Sequence, residues 1–102
     1  MNATESEGRE GHVAVVGAGL VGSGWAIVFA RAGLDVKLFD TAPGASERAL
    51  QRIGDRLEDL RDAGLLADPK PVLARLAIAE TLSDSLAGAI YVQESVLERV
   101  DV

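Results

Sequence analysis

The feature that most constrains this chain is a cluster of glycines set directly after a short β-branched run. Residues 12–16 read HVAVV, and Gly17-Ala18-Gly19-Leu20-Val21-Gly22-Ser23-Gly24 follows at once. The run has the composition of a buried strand. Residues 21–32 then take helical spacing, with Val21, Trp25, Val28, Phe29 and Ala32 three and four apart, and Gly33 is the expected stop. Residues 35–39 (DVKLF) form a second strand that ends at Asp40. Strand, glycine turn, helix, strand and acid, in that order, point to a nucleotide-binding crossover unit.

The rest of the chain continues the alternation. Thr41 is the expected cap of a second helix, and Pro43 suits its first turn. That helix runs to about Ala63 with Leu50, Ile53, Leu57 and Leu60 on one seam, and its Arg, Glu and Asp residues form a solvated face. Asp68-Pro69 and Lys70-Pro71 mark a turn before a short helical piece over 72–76. A third strand is expected over 77–81, and a short helix over 83–87 with Ser83 as its cap. A fourth strand is expected over 89–93 (AIYVQ). Alternating strands and helices give an α/β, Rossmann-type parallel sheet of about four strands with flanking helices. Right-handed crossovers set the order 3-2-1-4. Residues 1–11 are polar and acidic and read as a flexible arm, leaving 12–102 as a partial dinucleotide-binding domain.

Each glycine has a separate physical task. Gly17 allows the sharp turn, Gly19 lets a pyrophosphate reach the backbone, and Gly22 lets helix and strand pack closely. Free amides at the helix start then face the phosphates. Asp40 lies 18 residues past Gly22, the spacing for ribose recognition. A carboxylate accepts hydrogen bonds from both ribose hydroxyls and repels a 2′-phosphate. Residues 41–47 hold no Arg or Lys to neutralise one, so NAD is the expected cofactor rather than NADP.

Composition narrows the partners. Lys+Arg 10 against Asp+Glu 16 gives a net charge of −6, which argues against nucleic acid and against an anionic membrane. The chain has no Cys, so thiolate nucleophiles and Cys-based metal sites are excluded; no metal site is expected, and a cytoplasmic location fits. The lone histidine, His12, is expected at the surface at a strand start, far from the ligand edge. Trp25 is expected in the core. Glu94 and Glu98 follow the fourth strand beside the cofactor crevice, and their spacing alone leaves open whether they are solvated or functional.

The run VAVVGAGLVGSGWAIVFARAGLDVKLFD resembles the N-terminal NAD-binding domain of the L-3-hydroxyacyl-CoA dehydrogenase family, and LAGAIYVQESVLE over 86–98 resembles its fourth strand and acidic loop. Trp25, the VQES tetrad and the APG after Asp40 are most similar to the branch acting on free 3-hydroxy acids, which includes L-gulonate 3-dehydrogenase (lambda-crystallin) and carnitine 3-dehydrogenase. The resemblance implies an oxidoreductase of the kind used in fatty-acid metabolism, moving hydride from C3 of a 3-hydroxy acid or 3-hydroxyacyl-CoA to NAD. It implies that Leu20 and Val21 line the pyrophosphate, that Asp40 holds the adenosine ribose, and that Glu98 lies on the nicotinamide side. The family's CoA-contacting Ser and Lys fall on Arg56 and Ala63 in a gap-free alignment from Asp40, which weakens an acyl-CoA assignment. The family's catalytic His–Glu pair matches no position among these residues, so the chain alone is expected to bind NAD without turnover. A non-catalytic NAD-binding or interaction module is the alternative. An open edge on the fourth strand leads to expected self-association.

Overall fold

The computed structural model describes residues 11–95. The expected arm, Gly11 apart, lies outside them. Eight elements follow in order: β1 (His12–Val16), α1 (Leu20–Arg31), β2 (Val36–Phe39), α2 (Ala45–Asp62), α3 (Pro69–Leu73), β3 (Leu76–Ile78), α4 (Leu82–Leu86) and β4 (Ala89–Glu94). The strands form one sheet in the order β3-β2-β1-β4, and every neighbouring pair is parallel. This is the expected topology, with β1 central and buried along its whole length.

Strand alternation divides the sheet into two faces. Val13 and Val15 lie opposite Val36 and Leu38, and these four join Ala26, Ala30, Ala49, Ile53 and Leu57 in the main core. Helices α1, α2 and α3 contact one another there. Right-handed crossovers carry β1-α1-β2 and β2-α2-β3 over this face and β3-α4-β4 over the other. Ala14 and Val16 turn toward α4. The seam on α2 is as expected at Ile53 and Leu57, with Leu50 and Leu60 partly buried beside it. Complete burial of each such aliphatic side chain contributes about 1.5–3 kcal/mol.

Six local expectations are corrected. The buried stripe of α1 is Gly22, Ser23, Ala26 and Ala30, not the larger apolar residues. Close approach to the sheet and to α2 selects small side chains, so Val21, Trp25 and Val28 face outward; Trp25 is 40% exposed and stacks on Phe29 at 5.7 Å. His12 is buried, not superficial: its Nε2 donates to the Ser85 carbonyl at 2.6 Å, tying β1 to α4. Thr41 caps nothing; α2 starts from Gly44, whose φ of 75° is left-handed, and Pro43 sits in the preceding turn. The third helix begins at Pro69 rather than near 72, because Asp68 accepts from the Lys70 amide and both prolines fall in the first turn, where no donor is needed. Finally, β3 stops at Ile78, and Thr81 rather than Ser83 caps α4.

Candidate cofactor-binding site

The carboxyl ends of the four strands meet along one edge. There the chain reverses from the β2 side of β1 to the β4 side, and such a switch point opens a crevice in parallel sheets. The edge is tied by backbone bonds: the Gly17 amide donates to the Phe39 carbonyl at 2.8 Å, and the Ser95 amide donates to the Val16 carbonyl at 2.7 Å.

Gly17 turns the chain out of β1 with φ 103°, a conformation that favours glycine. Gly22 is packed against that turn, and a Cβ there would drive into the Gly17 carbonyl oxygen. Gly19 is different: a Cβ on it meets nothing within 4 Å, so its open side faces free space. Gly19 is also the N-cap of α1, provides no side-chain cap, and no acid lies in the first turn. The first-turn amides therefore have no intrahelical partner and no side chain competing for them. Leu20 and Val21 stand beside them, 76% and 63% exposed.

Asp40 links this turn to the next. Its Oδ2 accepts from the Ala18 amide at 2.7 Å, and its Oδ1 accepts from the Ala42 amide at 2.8 Å. The carboxylate thus braces the glycine turn against the β2–α2 loop, and each oxygen keeps a lone pair for a ligand. A cleft of about 210 Å³ opens on one side of it, lined by Asp40, Thr41, Pro43, Ser46, Glu47 and Glu80 among others. A smaller cavity of about 60 Å³ lies on the other side, between Gly17, Phe39 and Asp40.

The residues singled out by the sequence separate here. Gly17, Gly19, Leu20, Val21, Gly22 and Asp40 come together at the edge. Glu94 ends β4 and is exposed, and Glu98 lies outside the described residues. Two features were missed. Glu80 lines the cleft, but placing the third strand over 77–81 had put it inside that strand. Its signal is the one that revealed Asp40, an acid just past a strand end. Arg48 is one residue beyond the window searched for bases; its Nη1 donates to the Pro43 carbonyl at 3.3 Å, and it is absent from the lining of the cleft. Among the described residues there is no cluster able to hold a metal ion and no helix long and apolar enough to cross a membrane.

The model of the 3-hydroxyacyl-CoA dehydrogenase NAD-binding domain matches residues 12–102. The chain belongs to the 3-hydroxyacyl-CoA dehydrogenase family. It is 34% identical to lambda-crystallin of Oryctolagus cuniculus over 95 residues, which is 90% of this chain and 30% of that protein. It is 38% identical to an L-carnitine dehydrogenase of Streptomyces griseus over 90 residues, 88% of this chain and 26% of that protein. The crystal structure of 3-hydroxybutyryl-CoA dehydrogenase from Escherichia coli superposes with a TM-score of 0.79 at 35% identity, covering 87% of this chain and 19% of that one. The chain thus spans less than a third of each of these proteins. The stretch matched in this chain is the family's NAD-binding domain, and lambda-crystallin and the L-carnitine dehydrogenase belong to the branch that the resemblance named.

The residues present fit NAD. A glycine with open space at its Cβ position adjoins an uncapped helix start, and a carboxylate with spare lone pairs stands one turn away. The Ser95 hydroxyl oxygen is buried at the end of β4 with no partner among the described residues, next to the crevice between β1 and β4.

Proposed function

We propose that this 3-hydroxyacyl-CoA dehydrogenase-family chain is the adenosine-side module of an enzyme that oxidises a 3-hydroxyl to a 3-keto group, with bound NAD supplying the hydride acceptor. The backbone of Gly17, Gly19, Leu20, Val21 and Gly22 cradles the pyrophosphate. Asp40 accepts hydrogen bonds from the adenosine ribose while holding the turn in shape. By the family resemblance Glu98 serves the nicotinamide side, and the Ser95 hydroxyl is open to a ligand in the crevice. The substrate is a small 3-hydroxy acid or its CoA ester, and the working location is the cytoplasm. Residues 12–102 are part of the NAD-binding domain.

The observation that carries this reading is the joint placement of Gly19 and Asp40: one leaves a helix start open and the other is bonded to the loop beside it. Calorimetric titration of the chain with NAD and NADP tests it. Tighter NAD binding is expected, and equal or tighter NADP binding contradicts it. Assays with L-gulonate, carnitine and 3-hydroxybutyryl-CoA are expected to stay at the buffer rate. His12, bonded to Ser85 at the opposite end of β1, cannot act as the base there.

Self-association is the second element of the reading. Among the described residues β4 is an edge strand, and its Ile90, Tyr91 and Val92 are 57%, 51% and 44% exposed. Phe29 and Tyr91 lie 5.7 Å apart, so this apolar surface continues onto α1 at Val21, Trp25 and Val28. An open strand edge beside an apolar surface favours pairing with another chain.

A further inference from the structure

We infer that cofactor choice is set by three acids on separate segments, with Glu47 and Glu80 acting alongside Asp40 as specificity-determining residues that exclude a 2′-phosphate. This rests on the proposed placement of the adenosine ribose at Asp40. The cleft beside Asp40 is lined by Glu47 from the first turn of α2 and by Glu80 from the segment after β3. Three separate segments therefore bring carboxylates to one cleft of about 210 Å³. Among the residues lining it there is no Lys, Arg or His.

Two fields compete at that place. The N-cap of α2 is Gly44, without a side-chain cap; the Ala45 amide donates to the Ala42 carbonyl at 3.1 Å, and the remaining first-turn amides with the positive end of an 18-residue helix would attract a phosphate. Left alone, that helix start would favour NADP. Glu47 sits within the first turn and offsets it, and Glu80 adds negative charge from the sheet side. Arg48, the nearest cation in sequence, is not among the lining residues but borders them, its guanidinium donating to the Pro43 carbonyl and lying against Gly44, so three carboxylates act against one neighbouring cation. A 2′-phosphate carries a charge of about −1.5 to −2 at neutral pH and meets all three carboxylates. NAD presents an uncharged hydroxyl at the same point and meets no such repulsion. Asp40 is therefore not the sole discriminator, and replacing it alone leaves two acids facing the phosphate.

The test is calorimetric titration of the wild type, Glu47→Gln and Glu80→Gln with NAD and with NADP. Both glutamates are exposed, so the uncharged isosteres are compatible with the fold. Each substitution is expected to raise the NADP-to-NAD affinity ratio about three- to tenfold, the scale of one charge acting across a screened cleft. The double variant should exceed either single one. In the wild type the discrimination should shrink as salt is raised, a response that a purely steric role would not give. A wild type that binds NAD, with a ratio unmoved in both variants, overturns this inference and leaves the cofactor placement standing. A wild type that binds neither dinucleotide overturns the placement and the inference together.

Discussion

Two kinds of helix start exist among the described residues. Helices α3 and α4 open on Asp68 and Thr81, whose side chains accept from the Lys70 and Asp84 amides at 3.0 and 2.9 Å. Helices α1 and α2 open on Gly19 and Gly44, which offer no such bond. A side-chain cap completes a helix end and stabilises it by about 1 kcal/mol. A glycine cap leaves amides without a side-chain partner, where an anionic ligand can take those that the backbone does not; at α2 the Ala45 amide already donates to the Ala42 carbonyl. The two uncapped starts are those beside Asp40, so local stabilisation has been forgone where the cofactor phosphates are proposed to sit and kept at α3 and α4.

The largest effect should come from the glycines that this comparison turns on. Gly22→Val forces a side chain into the Gly17 carbonyl. It should destabilise the domain by about 3 kcal/mol, the upper range for overpacking, and lower the melting temperature by more than about 10 °C. Gly19→Ala has space for its methyl and an ordinary φ of −84°. It should leave the melting curve nearly unchanged and still weaken NAD binding about tenfold by crowding the pyrophosphate. Thermal melts and titrations of the pair separate fold from site. A Gly19→Ala variant that binds NAD normally would break the comparison.

Asp40→Ala comes next. It removes the two carboxylate oxygens that accept from backbone amides together with the ribose contact, so NAD binding should fall by about 1–3 kcal/mol and stability should fall with it. Loss of affinity without any loss of stability would mean that the brace to Ala18 contributes nothing to the turn.

This coupling shows what the sequence could and could not reveal. The span from β1 to Asp40 was legible because the constraints there are local: a glycine that must turn, a glycine that must be small, an acid at a strand end. The stripe of α1 was not. Two helical periodicities overlap in it, and hydrophobicity points to Val21, Trp25 and Val28 while close packing selects Gly22, Ala26 and Ala30. The three-residue β3 is fixed by its pairing with β2, from Val36 with Leu76 to Leu38 with Ile78, rather than by its own propensity. Misplacing it hid Glu80. His12 was read as a surface residue because nothing local announces the Ser85 carbonyl, 73 residues away.

Smaller effects belong to the capped starts. Asp68→Ala and Thr81→Ala should each cost about 1 kcal/mol, lowering the melting temperature by about 4–8 °C. NAD affinity should not change in either. A drop in affinity on losing the Asp68 cap would show that the two kinds of helix start are not independent. The smallest change is expected from Tyr91→Lys, which should reduce dimers in sedimentation and leave both melting and NAD binding nearly as they were. Wild-type protein that stays monomeric at micromolar concentration would remove the edge-pairing part of the reading.

The central claim is that the glycine-capped starts, braced by Asp40, hold the cofactor. It is tested most directly by nitrogen–proton correlation spectra of the chain during titration with NAD. The account predicts shifts at the amides of residues 17–22 and 40–47, with Lys70 and Asp84 unmoved. Shifts confined to β4, or none at millimolar NAD, would contradict it.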